Sequence, residues 1–330
     1  MRATPPRGDA ELSAGLHVLA ERRPKRVAVA AIDLSTSPRV RFSFIDAEGS
    51  TRFEIGSITK GLTAMLLADS VGRGEISLDT EVGDVLPGTD GAEAGSIAVT
   101  ELCTHTSGLP RTVRRPLAAL RGLRHRVLQS NPYHGMTTSL VIEQAVGQRL
   151  TDRGQRRYSN LGAALLGQML AHCGGAEYAV LLRERILRPL GMDASDVARR
   201  RDTAPWGTSP SGLPRQPWAM EGFAPAGGVY STIEDMAQLA CALLDGSAPG
   251  LLSTVPFEGI PTDRANRHSG MFWIIDGDPG TDQVMIWHNG GTGGYSSFMG
   301  IVPHRQRAVV FLQSVAGRGA ELARVVADLL

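Results

Sequence analysis

The sequence predicts a mixed α/β (α+β) architecture, an antiparallel sheet flanked by the terminal helices with an all-helical domain inserted between its halves. Strand-like stretches cluster before residue 56 and return only after residue 270. The residues between them carry mostly helical periodicity. The strands come in meander-like runs and do not alternate with helices, which favours antiparallel pairing. On this reading residues 1–78 and 250–330 form one discontinuous α/β sheet domain, and residues 79–249 form the helical insert.

Asp9 can cap a first helix whose Leu12, Leu16 and Leu19 fall at helical spacing. Strand signals follow at Arg26–Asp33, at Arg39–Asp46, where Val40, Phe42 and Phe44 alternate, and at Thr51–Ile55. From Ser57 the period becomes helical through Leu62, Met65 and Leu66. Further helices are predicted over Thr100–His105, Thr138–Gln148, Asn160–His172, Ala176–Leu187 and Thr232–Leu244. Strands return at Met271–Ile275, Val284–Trp287, Ser297–Val302 and Ala308–Gln313, and a last helix runs from Ala320 to Leu330. Two long loops, Arg111–Arg126 with its arginines and Asp202–Gly228 with its Pro, Gly and Trp, have the length of segments that rim a site.

Lys plus Arg is 34 against 33 Asp plus Glu, a net charge of +1, so no excess of positive potential collects polyphosphate or anionic lipid. With aromatic residues at 5%, stacking platforms for single strands are also few, and nucleic acid is not an expected partner. Cys103, Cys173 and Cys241 are an odd, widely spaced set without a C-x-x-C pair and are read as reduced and structural. No metal site and no cofactor motif is visible: G-x-S-x-G, H-E-x-x-H, G-x-G-x-x-G and the Walker A pattern are all absent. The first residues show no apolar signal core and no stretch is long enough to span a bilayer, so the expectation is a cytoplasmic protein that acts on a small molecule without a membrane.

Of the 34 basic residues only Lys25 and Lys60 are lysines. A buried lysine can lose its proton and act as a base, which arginine effectively cannot. Lys60 follows Ser57 by one helical turn in Gly56-Ser57-Ile58-Thr59-Lys60, at a strand-to-helix junction, so the amine can reach the hydroxyl. Tyr158-Ser159-Asn160 stands at another helix entrance. The third cluster, His288-Asn289-Gly290-Gly291, lies between two strands, where a free backbone N–H can serve as an oxyanion donor. More blandly, His105 reads as a helix-end residue that orders a turn, the arginines of 111–126 as a solvated face, with a lid that recognises an anionic substrate or partner as the sharper reading, and Trp206 and Trp218 as pocket or loop anchors.

Ser-x-x-Lys, Tyr-Ser-Asn and His-x-Gly in that order resemble the serine β-lactamase and penicillin-binding protein superfamily, in its class C-like branch. Segments such as Leu102-Cys103-Thr104-His105-Thr106-Ser107-Gly108-Leu109-Pro110 and Pro225-Ala226-Gly227-Gly228-Val229-Tyr230-Ser231 are similar to that family too. The resemblance implies a β-lactamase/transpeptidase-like fold with the active site between sheet domain and insert. It implies Ser57 as nucleophile, Lys60 as its activating partner, Tyr158 as general base and Asn160, Asn289 and Gly290 as substrate-binding residues. The oxyanion hole would be the N–H groups of Ser57 and Gly291. His288 stands where many members carry lysine, so carboxylate binding there would depend on its protonation. The implied activity is acyl transfer through a serine ester, on a small-molecule ester, amide or lactone first. β-Lactamase or DD-carboxypeptidase activity, transesterification and a non-catalytic sensor are the alternatives.

Overall fold

The computed structural model describes residues 4–21, 26–112, 131–198, 206–278, 281 and 283–317. Its frame is an eight-stranded antiparallel sheet of β1 (Arg7–Gly8), β2 (Val27–Asp33), β3 (Arg39–Ile45), β4 (Arg267–Ser269), β5 (Ile274–Asp276), β6 (Met285–Gly291), β7 (Ser296–Val302) and β8 (Arg307–Gln313). The spatial order is β1-β3-β2-β8-β7-β6-β5-β4, so the two ends of the sequence meet where β2 pairs with β8, Val27 opposite Gln313 and Asp33 opposite Arg307.

Strand period two explains why β2 reads as one apolar run. Val27 and Val29 point to one face, where they meet Leu16, Ile45, Phe298, Val309 and Phe311, while Ala28, Ala30 and Ile32 join the larger core on the other. Leu16 belongs to α1 (Ala10–Glu21), whose entrance is capped by Asp9 Oδ1 accepting from Leu12 N at 3.1 Å. The larger core holds α2 (Thr59–Gly72), α3 (Val99–Cys103), α4 (Thr138–Val146), α5 (Asn160–Cys173), α6 (Tyr178–Leu182) and α7 (Ile233–Asp245). α2 is buried on nearly all sides, as a helix that is apolar all round must be, and α7 lies along β2 and β8.

Several elements differ from the sequence reading. Thr51–Ile55 contributes only Phe53–Glu54, which pairs with Tyr230 and Ser231 in a separate three-stranded sheet completed by Asp196–Val197. Arg267–Ser269 carries no apolar alternation and was not recognisable as a strand. Phe272 has φ of 60°, which breaks the expected strand over Met271–Ile275 and delays it to Ile274. β6 runs through to Gly291, past the Asn and Gly residues that read as turn signals, because β7 supplies partners for each of them. The helix expected over Ala176–Leu187 is α only to Leu182 and continues as a π-turn over Arg183–Leu187. The last helix, 320–330, and the arginine-rich loop from residue 113 onward lie outside the described residues, as do positions 202–205 of the second loop. Among the described residues no helix is long and apolar enough to cross a membrane.

α5 lies so close to the turn over Ala224–Gly227 that a Cβ at Gly167 would fall 2.1 Å from Pro225 Cγ. Helix propensity alone favours alanine there by about 1 kcal/mol. The collision reverses the sign, and Gly167→Ala is predicted to destabilise the fold by about 1–3 kcal/mol, read as a lower urea midpoint at unchanged m-value.

Candidate active site

The chain reaches Ser57 through a single 3-10 turn, Gly56–Ile58, that leads directly into α2. Lys60 is therefore on the first turn of the helix and on the same face as the serine, its Nζ 3.2 Å from Ser57 Oγ. The amine is fully buried. It donates to Asn160 Oδ1 at 2.8 Å and to the Ala226 carbonyl at 2.5 Å, and no carboxylate pairs with it among the described residues. Burial, reinforced by the nearby Arg111 guanidinium, holds its pKa well below the usual lysine range.

Tyr158 reaches the same hydroxyl from the other side, donating from its OH to Ser57 Oγ at 2.6 Å. Burial pushes the phenol up to about 12, so it is protonated at neutral pH. Its position is set by the entrance to α5. Ser159 caps that helix by accepting from Gly162 N at 2.9 Å and donates to the Pro110 carbonyl at 2.8 Å. Asn160 N donates to the Arg111 carbonyl at 3.0 Å. His105 clamps the segment further: its carbonyl accepts from Arg157 N at 2.7 Å, its Nδ1 accepts from Ser159 N at 3.3 Å, and its ring lies 4.6 Å from that of Tyr158. The turn-ordering role read for His105 thus falls directly behind the tyrosine.

β6 brings the third cluster. A Cβ at Gly290 would lie 1.9 Å from the Ile55 carbonyl and 2.2 Å from Ser297 Oγ, so only glycine lets this strand touch the segment before Ser57. Gly290, grouped by sequence with the substrate-binding residues, is buried in that contact; its closeness brings the Gly291 amide beside Gly56, while Asn289 is exposed. His288 is buried. Its Nδ1 lies 2.6 Å from the Asn289 carbonyl, which can only accept, so Nδ1 carries the proton and Nε2 the lone pair. Burial and the neighbouring Lys60 push the imidazole down to about 3. Desolvation therefore disfavours the charged ring and works against the expectation that a protonated His288 binds a carboxylate.

Asn160 offers its oxygen to Lys60, which leaves the amide NH2 for another partner. Trp218 stands 5.3 Å from the Tyr133 ring and against Gly293, beside the cluster, while Trp206 is 54% exposed. Three further groups of the site were assigned no role from the sequence, although Arg111 and Ala226 fall in the two long loops read as rimming it. Ala226 contributes a carbonyl, which no side-chain pattern reports. Arg111 places its guanidinium 5.4 Å from the Tyr158 ring centre, and Arg156 has a buried Nε without a hydrogen-bond partner. Among the described residues no three His, Cys, Asp or Glu side chains gather as a metal site would require.

This arrangement offers a serine flanked by a buried amine and a phenol with backbone amides opposite, the parts of a nucleophilic acyl-transfer site. Comparison with known proteins points the same way. The chain is 27% identical over 307 residues to the D-alanyl-D-alanine-carboxypeptidase/endopeptidase AmpH of Escherichia coli, covering 84% of this chain and 74% of that protein. It is 28% identical to penicillin-binding protein 4 of Amycolatopsis lactamdurans, over 76% of this chain and 69% of that one. The fold superposes on a class C beta lactamase from Rhodobacter sphaeroides with a TM-score of 0.81 at 22% identity, covering 97% and 98% of the two chains. Residues 19–330 match the Beta-lactamase family model, and the chain belongs to that family, within the serine β-lactamase and penicillin-binding protein superfamily.

Proposed function

We propose that the protein is a serine hydrolase that forms an acyl-enzyme on Ser57 and acts first on neutral small-molecule esters, amides or lactones. The observation that carries this reading is the hydrogen-bond chain from Tyr158 through Ser57 to a lysine that has no counter-ion among the described residues. With Tyr158 donating to Ser57 Oγ, the serine proton is free to point at Lys60, whose lone pair accepts it while its two N–H groups remain on Asn160 and Ala226.

Ser57 Oγ attacks the carbonyl carbon as its proton passes to Lys60 Nζ, and the resulting oxyanion is met by the N–H groups of Ser57 and Gly291. Tyr158 gives its proton to the leaving alcohol or amine as the scissile bond breaks. The Lys60 ammonium, 4.7 Å from the Tyr158 ring centre, restores that proton, and water repeats the sequence to release the acid. In this scheme the base is the lysine, and the tyrosine that the family resemblance implied as base enters as a proton donor. The neutral His288 favours neutral substrates. A carboxylate-bearing substrate, as in a β-lactamase or DD-carboxypeptidase, is a second reading favoured by Arg111, a fixed cation beside Tyr158 with no ion pair among the described residues, and by the peptidase name of one relative.

Ser57→Ala is expected to lower turnover of p-nitrophenyl esters by about three orders of magnitude or more and to abolish the single fluorophosphonate adduct seen by intact mass. An adduct retained in that variant would remove Ser57 as nucleophile. Lys60→Arg should be nearly as inactive as Lys60→Ala, since guanidinium keeps charge and cannot take a proton; retention of most of the rate would make the lysine a mere cation.

The pH profile follows from the same groups. Lys60 must be unprotonated, and its pKa is depressed, so kcat/KM for a neutral ester should fall as pH drops through one ionisation lying well below 10.5. No alkaline limb from Tyr158 should appear below about pH 11, because its phenol titrates only at about 12. The preference for a neutral ester over a carboxylate-bearing β-lactam should stay constant between about pH 5.5 and about pH 8.5 and shift toward the β-lactam in His288→Lys. A preference that changes with pH in the wild type and not in His288→Lys would show that the imidazole does charge.

A further inference from the structure

Glu54 is, among the described residues, a buried carboxylate close to the site that the acyl-transfer scheme leaves unused. It lies just upstream of Ser57 on the short strand Phe53–Glu54 and is 4% exposed. No arginine or lysine forms an ion pair with it among the described residues. Arg52 lies over the ring of its partner Tyr230 at 5.9 Å without pairing with it, and burial raises the carboxyl above its ordinary range. Its three hydrogen-bond partners come from three separate segments. Oε1 accepts from the Trp218 backbone N–H and, at 3.1 Å, from the Tyr230 OH, while Oε2 accepts from the Thr292 hydroxyl.

Each of these segments matters to the site geometry. Thr292 immediately follows Gly291, the proposed oxyanion donor, and opens the turn from β6 to β7 that closes with Thr292 N donating to the Tyr295 carbonyl at 3.0 Å. Trp218 presses on the same turn, since a Cβ at Gly293 would lie 2.8 Å from its indole nitrogen, and it pairs with Tyr133 as an aromatic wall. Tyr230 belongs to the strand that pairs with Phe53–Glu54 itself. A carboxylate desolvated without a cation is a costly way to fill a core, and an apolar side chain of similar size would stabilise at least as well. What an apolar side chain cannot do is hold three donors at set distances from the nucleophile strand.

We propose that Glu54 is a positioning residue, which fixes the Gly291 amide and the Trp218 wall relative to Ser57. The inference rests on the acyl-enzyme reading above, because it assigns the clamp to the oxyanion hole of that reaction. Its effect is on the tetrahedral stage: the Gly291 N–H must meet an oxygen that moves as the carbonyl carbon becomes tetrahedral, and a displacement of about 1 Å can cost about a hundredfold in rate.

The test compares wild type with Thr292→Val, which removes the turn's anchor and keeps its shape, with Glu54→Ala and with Glu54→Gln. For each, a fluorophosphonate counts competent serines, p-nitrophenyl butyrate gives kcat per labelled serine and KM, and phenylboronic acid, which binds the serine as a tetrahedral adduct, gives Ki. Thr292→Val and Glu54→Ala should lose about ten- to a hundredfold in kcat per labelled serine, with KM within about threefold and Ki rising in parallel with the loss of kcat. Glu54→Gln should recover most of that loss, since an amide can accept from Trp218 and donate to Thr292. Should Glu54→Ala fail to fold, Thr292→Val carries the comparison alone. Normal labelling with kcat and boronate affinity unchanged in Thr292→Val, or a loss confined to melting temperature and labelled fraction, overturns the positioning role. Absence of labelling at Ser57 in the wild type overturns the acyl-enzyme reading itself, and the inference falls with it.

Discussion

Everything at this site depends on burying one amine without a counter-ion. Moving an ammonium into the interior costs several kcal/mol even after relaxation, and a carboxylate partner would repay much of that only by locking the charge in place. Lys60 instead meets three oxygens, on Ser57, Asn160 and Ala226. A neutral amine satisfies all three contacts, with two donated bonds and one accepted. Desolvation thus favours the form able to take a proton, and the cost is carried by the surrounding fold.

That fold is arranged so that no contact of Lys60 comes from a flexible tether. Thr63, one turn further along α2, donates to the Pro225 carbonyl at 2.8 Å and shares a 2.7 Å hydrogen bond with Tyr178, which pins the 224–227 turn where Ala226 can accept from the lysine. α5 enters beside this turn with Ser159 as its cap, and the cap places Tyr158 on Ser57 and Asn160 on Lys60. β6 arrives as part of a continuous ladder with β7, which itself is tied to the nucleophile segment by Ser297 Oγ donating to the Ile55 carbonyl at 2.7 Å. The ends of α2 and α5 and the strand β6 therefore supply the reacting groups.

Legibility in the sequence followed the physical source of each feature. Strand β3 was readable from the alternation of Val40, Phe42 and Phe44, and β2, β7 and β8 as short apolar runs bounded by turn residues. Lys60 stood out because arginine replaces lysine elsewhere in the chain save at Lys25, and Tyr158 and His288 because their motifs are local and ordered. Illegible were features built from backbone or from desolvation. The Ala226 carbonyl has no signature, the extension of β6 through Gly291 needs a partner strand to exist, and Phe272 adopts φ of 60° because its N–H is drawn to the Cys103 carbonyl at 2.6 Å. The charge state of His288 belongs to this group. Spacing places an imidazole there, but only its burial beside Lys60 decides that it is neutral.

The same burial shapes the course of the proposed reaction. Lys60, His105 and His288 are three basic groups in one dry pocket, each depressed first by desolvation, with Lys60 adding to the depression of both histidines. When Lys60 takes the serine proton, neither imidazole offers it a negative partner, and the charges that can balance it are the oxyanion in the hole and, next, the Tyr158 phenolate. An ammonium stabilised only while an anion stands beside it gains most at the tetrahedral stage and little in the ground state, which is the condition for lowering a barrier. The lysine's isolation from carboxylates is thus part of the chemistry: a permanent counter-ion would stabilise the ammonium before the substrate arrived and leave Ser57 without a base.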